Sequence, residues 1–343
     1  MLQGYFQILE RERPAIHWIS KCLPADIDIK TASLQELRDA NRELSSRVQK
    51  MAEGMSHGDL LRLSPPSGNS LLDLKIEIAE RLLSECAFCE RRCGANRKEG
   101  NLGYCGVGAL SRYSSDFLHM GEEPELVPSH TIFFSGCTFK CVYCQNWDIA
   151  MHPDMGRVAE PEMLRTVLLE GISQGSRNAN FVGGNPDPNL HTILKTIALL
   201  GEGGKFLPMI WNSNMYTSLE AMEVLWGVID VYLGDFRYGN DDCALELSDV
   251  RNYFEIVKRN FAFAYRTAIV MLRHLVMPDH LECCTRPIME WVSENMPGVY
   301  FNLMFQYRPE YKASLYPRIN RYLTREERRK ALEMAREFGI SCG

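Results

Sequence analysis

Three cysteines fall within eight residues in the stretch GCTFKCVYCQNWDIA, Gly136 to Ala150: Cys137, Cys141 and Cys144, spaced C-x3-C-x2-C. Thiolates are soft ligands, and cysteines set this close together hold zinc or iron–sulfur centres. A structural zinc takes four protein ligands in a closed tetrahedron, and no histidine stands immediately beside this loop. Three thiolates undersupply zinc but fit three irons of a four-iron cubane. The fourth iron is then open to an exogenous ligand, which accounts for the odd number.

A second group, Cys86, Cys89, Cys93 and Cys105, reads C-x2-C-x3-C-x11-C, with Gly94, Gly100, Gly103 and Gly106 supplying tight turns. Four ligands make a closed site, which suits either a structural zinc or a fully ligated second cluster. Cys22, Cys243, Cys283, Cys284 and Cys342 are scattered, and each reads as an ordinary buried or terminal thiol. Cys283–Cys284 opens a helix and could ligate something.

Twelve cysteines in 343 residues are many for an intracellular protein; in a reducing compartment clustered thiols more often hold metal than form disulfides. Hydrophobic residues at 45% and charged residues at 24% describe a soluble globular chain rather than a disordered one. A formal net charge of −6 argues against a nucleic-acid binder held by phosphate neutralisation. The first thirty residues lack the basic start and unbroken apolar run of a signal peptide. With no apolar stretch long enough for a bilayer, the expected location is cytoplasmic, without a membrane partner.

The elements that must position these thiols follow from periodicity. Leu34, Leu37, Leu44, Val48 and Met51 repeat at helical spacing from Thr31 to about Met55, and Ser33 with Glu36 forms a candidate capping box. The run Ser64 to Ser70 is a linker, and a second helix spans Leu71 to Leu83. From His130 onward short β-rich runs (130–136, 178–184, 208–214, 230–236, 268–278 and 298–305) alternate with helical segments near Pro161–Ser173, Pro188–Leu200, Ser218–Val228, Ala244–Phe263, Leu281–Asn295 and Arg325–Phe338. Strand then helix, six times over, predicts parallel strands joined by right-handed crossovers. The expected fold is α/β, a partial (β/α)6 barrel (130–343) preceded by a helical extension (1–70) and a Cys-rich metal-binding segment (71–129). In such a barrel the chemistry gathers at the carboxyl ends of the strands. There the sequence places Gly136 and the cysteines, Gly183-Gly184-Asn185, Asn212-Ser213-Asn214, Asp235 with Arg237, Arg273-His274 and Gln306-Tyr307-Arg308.

A C-x3-C-x2-C loop directly after a first strand, continued by CVYCQNWDI, resembles the signature of radical S-adenosylmethionine (SAM) enzymes. CAFCERRCGANRKEGNLGYCGVG, FVGGNPDP, PMIWNSNMYTS, VYLGDFRYGN, RHLVMP and VYFNLMFQYRPEY are similar to segments of the branch related to pyruvate formate-lyase activating enzymes. The likeness runs from Cys86 to the C-terminus and leaves out roughly the first seventy residues. It implies that Cys137, Cys141 and Cys144 bind a [4Fe–4S] cubane whose open iron is chelated by SAM. Reduction then yields a 5′-deoxyadenosyl radical that abstracts hydrogen from a substrate carbon. It also implies that Tyr143 packs on the adenine and that Gly183 and Gly184 meet the methionine amino group, where glycine lets a ligand approach the main chain. Asn185 stands where many relatives carry an acidic or hydroxyl residue. Asn212, Ser213, Asn214 and Asp235 correspond to the ribose and methionine shell, and Arg273 to an arginine contacting the methionine carboxylate. The implied activity is hydrogen abstraction from a protein or peptide substrate, as in glycyl-radical activation or a related post-translational modification, with flavodoxin or ferredoxin as reductant. The alternatives are a cobalamin-dependent methyltransferase acting on protein carbon and, in another class, a non-catalytic zinc or iron–sulfur scaffold.

Overall fold

The computed structural model describes residues 2–201 and 206–342. Eight strands form one sheet: β1 (Arg112–His119), β2 (Ser129–Phe134), β3 (Arg157–Val158), β4 (Asn178–Gly183), β5 (Met209–Ser213), β6 (Val231–Asp235), β7 (Ile269–Leu275) and β8 (Tyr300–Met304), in the order β3-β1-β2-β4-β5-β6-β7-β8. From β2 through β8 every neighbouring pair is parallel, so the six expected runs are the six parallel strands. β1 and β3 add an antiparallel edge that periodicity does not reveal: the side chains of RYSSDFLH are mostly half-buried, and β3 is only two residues long.

The crossover helices lie where expected, with one difference. The segment predicted as a single helix from Ala244 to Phe263 is two, Asp241–Ser248 and Tyr253–Thr267, because Asp249 and Asn252 take left-handed φ values of 53° and 51°. Asp and Asn are the non-glycine residues that tolerate that region best.

In the extension, the helix Leu34–Gly54 carries the anticipated capping box: Glu36 N donates to Ser33 Oγ at 3.3 Å, and Ser33 N donates to Glu36 Oε2 at 2.8 Å. Its apolar face, Leu37, Leu44 and Val48, is buried. One apolar core runs from Ile16 and Trp18 through this helix and Leu71–Leu82 to the barrel helices. A polar spike joins the same layers: the buried Lys75 Nζ donates to Asn41 Oδ1 (2.6 Å), Ser45 Oγ (2.8 Å) and Trp226 O (2.7 Å). Two short helices not expected from the sequence, Gln3–Leu9 and Ile16–Cys22, precede these. The first sets Leu2 and Tyr5 against Leu126, Ile210, Val231, Leu233, Met271 and Tyr300. Strand residues alternate between faces, so this second cluster fills the concave side of the sheet. Among the described residues no helix is long and apolar enough to cross a membrane.

Asp230, just before β6, ties the extension to the barrel by accepting from Ile16 N (3.0 Å) and Met209 N (2.8 Å). Burial pushes its carboxyl up to about 7. A carboxyl raised in the folded state binds more protons there than in the unfolded chain, so its contribution falls as pH rises from the unfolded value near 4 towards 7. Asp230→Asn should flatten the slope of Tm against pH in that window, removing on the order of 4 kcal/mol of pH dependence. An unchanged slope would assign the effect to another group.

Candidate active site

The cysteine loop leaves β2 through Ser135 and Gly136. Gly136 has φ 85°, and a Cβ there would lie 2.3 Å from Val107 Cγ2, so glycine is required by both the turn and the packing. Beyond it the loop is held by its backbone. Lys140 N donates to Ser248 O (3.0 Å), Val142 N to Leu247 O (2.9 Å) and Lys312 N to Val142 O (2.8 Å). The last carbonyls of the helix Asp241–Ser248, which have no partner within the helix, are thereby satisfied by the loop. Ser248 Oγ also donates to Cys141 Sγ at 2.9 Å.

Gly183 and Gly184 serve the same loop from the other side. A Cβ on Gly183 (φ 127°) would sit 2.0 Å from Phe134 O, and one on Gly184 would sit 2.3 Å from Gly136 O. Gly184 N donates to Phe134 O (2.9 Å) and Asn185 N to Gly136 O (3.0 Å). The main chain that approaches these glycines closely is therefore the protein's own, stacked between the end of β4 and the start of the cysteine loop.

A cavity of about 240 Å³ opens at this end of the sheet, lined by Cys137, Cys141, Cys144, Tyr143, Gly183 and Gly184, and also by Asn214, Asp235 and Arg273. Asn185, Asn212 and Ser213 do not line it. They are buried beside it, where Asn185 Oδ1 accepts from Asn214 N (3.1 Å) and Asn214 Nδ2 donates to Thr138 Oγ1 (2.8 Å). Tyr143 is buried, with its hydroxyl 2.6 Å from that of Tyr238 and its ring 5.8 Å from that of Tyr307. Tyr238 in turn meets Ser248 Oγ at 2.5 Å. A continuous hydrogen-bonded chain thus runs Tyr143–Tyr238–Ser248–Cys141.

Charge at the site comes from Arg237 and Arg273. Arg237 donates to Asp235 Oδ2 (2.6 Å) and approaches Cys141 Sγ through Nη1 at 3.4 Å. Arg273 donates through Nε to Glu123 Oε1 (2.7 Å) and also pairs with Glu122. The carboxylates it holds here belong to the loop between β1 and β2. Burial first, then the neighbouring sulfurs, pushes the Cys137 thiol up and the Cys144 thiol up to about 12. These thiols become thiolates only when a cation compensates. Ser248 and Tyr238 reach the site without being singled out by the sequence, whereas the sequence places Arg237 at the mouth beside Asp235 but gives it no role. The first two reach the loop only through the fold.

The second cysteine group lies next door. Cys86, Cys89, Cys93 and Cys105 line one small cavity with Arg97 and Thr138. Arg97 is fully buried, donating to Gly108 O (2.6 Å) and Pro188 O (2.7 Å), with Nη1 3.7 Å from Cys86 Sγ. Thr138, which follows Cys137 directly, touches this cavity, and its carbonyl accepts from Arg91 Nε at 2.9 Å. Neither this group nor the loop trio has donor atoms packed within 4.8 Å of one another. Among the described residues the set that does is Cys243, His280 and Cys283. Cys243 and Cys283, about forty residues apart in sequence, meet in space.

The Radical SAM superfamily model matches residues 131–292, the span holding the cysteine loop and β2 to β7. A relative 44% identical over 99% of this chain and 98% of its own length is the uncharacterized protein MJ0674 of Methanocaldococcus jannaschii, and a second from that organism, the uncharacterized protein MJ0808, is 22% identical over 75% of this chain and 78% of its own. Residues 131–292 thus form a domain of the radical SAM superfamily. Membership implies a [4Fe–4S] cluster and SAM as cofactors. Among solved structures, Streptococcus suis SuiB aligns with a TM-score of 0.45 and 14% identity over 61% of this chain and 44% of that one. SuiB bound to the precursor peptide SuiA aligns with 0.47 and 13% over 92% and 67%.

Gly184→Ala tests the backbone stack. The added methyl group cannot fit beside the Gly136 carbonyl without moving the loop, at a cost of about 1–3 kcal/mol. The variant should fold with a lower Tm and incorporate less iron on anaerobic reconstitution; unchanged iron and Tm would show that the loop does not depend on this contact.

Proposed function

We propose that the protein is a radical SAM enzyme that abstracts hydrogen from a carbon of a protein or peptide substrate, as in glycyl-radical activation or a related post-translational modification. The observation that carries this reading is the meeting of three thiols, spaced too widely for one small ion, with two strand-end glycines, Asp235 and Arg237 at the mouth of a parallel-stranded barrel. Such a donor set fits a cubane held at three corners. When bound, the cluster and SAM supply a 5′-deoxyadenosyl radical at the mouth.

The chain's own residues prepare the place. Arg237 and the Ser248 hydroxyl point donors at Cys141 Sγ. Asn214 and Asp235 offer polar groups on the cavity wall for the amino acid and ribose portions of SAM. Tyr143 presents an aromatic face inside the cavity, with its hydroxyl already satisfied. Arg273, paired with Glu122 and Glu123, lines the cavity. At the rim, exposed Trp147 stacks on Tyr311 with ring centroids 5.6 Å apart and planes 11° apart, beside the exposed amides of Gln145 and Asn146. A flat aromatic face next to amides suits an extended peptide. The Cys86 group, more open than a zinc tetrahedron and joined to the loop through Thr138, fits a second cluster placed to relay electrons from flavodoxin or ferredoxin.

Anaerobically reconstituted, reduced protein should convert SAM to methionine and 5′-deoxyadenosine, detected by chromatography, and Cys141→Ala should lose at least about a hundredfold of this while keeping iron at the Cys86 group. No 5′-deoxyadenosine from protein carrying a full cubane would overturn the proposal. Methyl transfer to a peptide with a corrinoid extracted from the protein would move it to the methyltransferase class.

A further inference from the structure

We propose that Cys243, His280 and Cys283 form a zinc site on the flank of the barrel, separate from the other two cysteine groups, with the fourth position open to solvent or to the neighbouring Cys284. Cys243 Sγ and Cys283 Sγ are 3.8 Å apart, and two thiolates at the corners of a tetrahedron with zinc–sulfur bonds of about 2.3 Å are separated by about 3.8 Å. Cys284 Sγ is 4.0 Å from Cys283 Sγ, and the donor atoms of Cys243, His280 and Cys283 all lie within 4.8 Å of one another. That spacing fits one ion and is too tight for the corners of a cubane.

The surroundings are those of a prepared metal site. His280 Nδ1 lies 2.6 Å from Pro278 O; as the donor of that bond it fixes the tautomer and leaves the Nε2 lone pair for a metal. Asn240 Nδ2 reaches Cys243 Sγ (3.3 Å) and Cys284 Sγ (3.9 Å) while donating to Cys283 O at 2.6 Å. One amide hydrogen thus serves Cys283 O and the other faces the sulfurs, locking the two ligand-bearing segments together. His280 is the N-cap of a π-turn, Leu281–Thr285, in which Cys284 N and Thr285 N both donate to His280 O. Widened turns of this kind cluster at functional sites, and this one brings His280, Cys283 and Cys284 to one side. Opposite, Gly239 approaches so closely that a Cβ would lie 2.7 Å from Cys284 O. Thiolates with an imidazole select zinc over the hard cations magnesium and calcium. Cys243 lies in the first turn of the helix Asp241–Ser248, whose other end holds the cysteine loop through Leu247 O and Ser248 O. The ion would pin that helix to the β7–β8 crossover, a structural role.

The test is metal analysis of full-length protein from zinc-supplemented cells, purified without oxygen. Wild type and Cys22→Ser should hold about one zinc per chain at this site. Cys243→Ser combined with His280→Ala should lose at least tenfold of it, and Cys86→Ser with Cys89→Ser should keep it. Should the first variant fold poorly, zinc-edge absorption spectroscopy on wild type decides: a shell of sulfur with one nitrogen supports the site. An all-sulfur shell, absence of zinc, loss of zinc only with the Cys86 group, or a Cys243–Cys283 disulfide in mapped peptides would each overturn it.

Discussion

The site rests on the close stacking of backbone against backbone at the ends of β2 and β4. Phe134 O and Gly136 O accept from Gly184 N and Asn185 N, and at neither Gly183 nor Gly184 is there room for a methyl group. The cysteine loop can leave the strand and fold over the mouth only because these positions carry no side chain. Its far side hangs on the final carbonyls of the helix Asp241–Ser248. With the loop held on both sides, its three sulfurs line one cavity.

The same constraint settles the electrostatics. A loop clamped on both sides is desolvated, and burial keeps Cys137 and Cys144 protonated until a cation arrives. Arg237 supplies a fixed positive charge close to Cys141 and is itself balanced by Asp235. Arg273 is balanced independently by Glu122 and Glu123. One arginine thus faces the thiols and the other the β1–β2 loop, and each partly buried guanidinium is paired.

Much of this was legible in the sequence, and the limits are physical. The six parallel strands are visible because apolar runs of strand length alternate with 3.6-residue periodicity, and Ser33 with Glu36 announces a helix start by local chemistry alone. β1 escapes because its side chains are mostly half-buried, and the break at Asp249–Asn252 because it depends on backbone conformations that several residue types can adopt. The cysteine loop is legible because its three thiols are neighbours in sequence. Ser248, Tyr238 and the meeting of Cys243 with Cys283 are not, since each pairing depends on tertiary approach. The sequence points to Gly183 and Gly184 by residue type, but their packing against the Phe134 and Gly136 backbone depends on the fold.

The central claim is that the loop holds a cubane at three corners and presents the fourth iron to SAM. Electron–nuclear double resonance on the reduced protein, with SAM labelled with oxygen-17 in its carboxylate and nitrogen-15 in its amine, tests it most directly. The account predicts that SAM alters the cluster's paramagnetic signal and that both labels couple to it; a signal indifferent to SAM, with no coupling from either label, would contradict it.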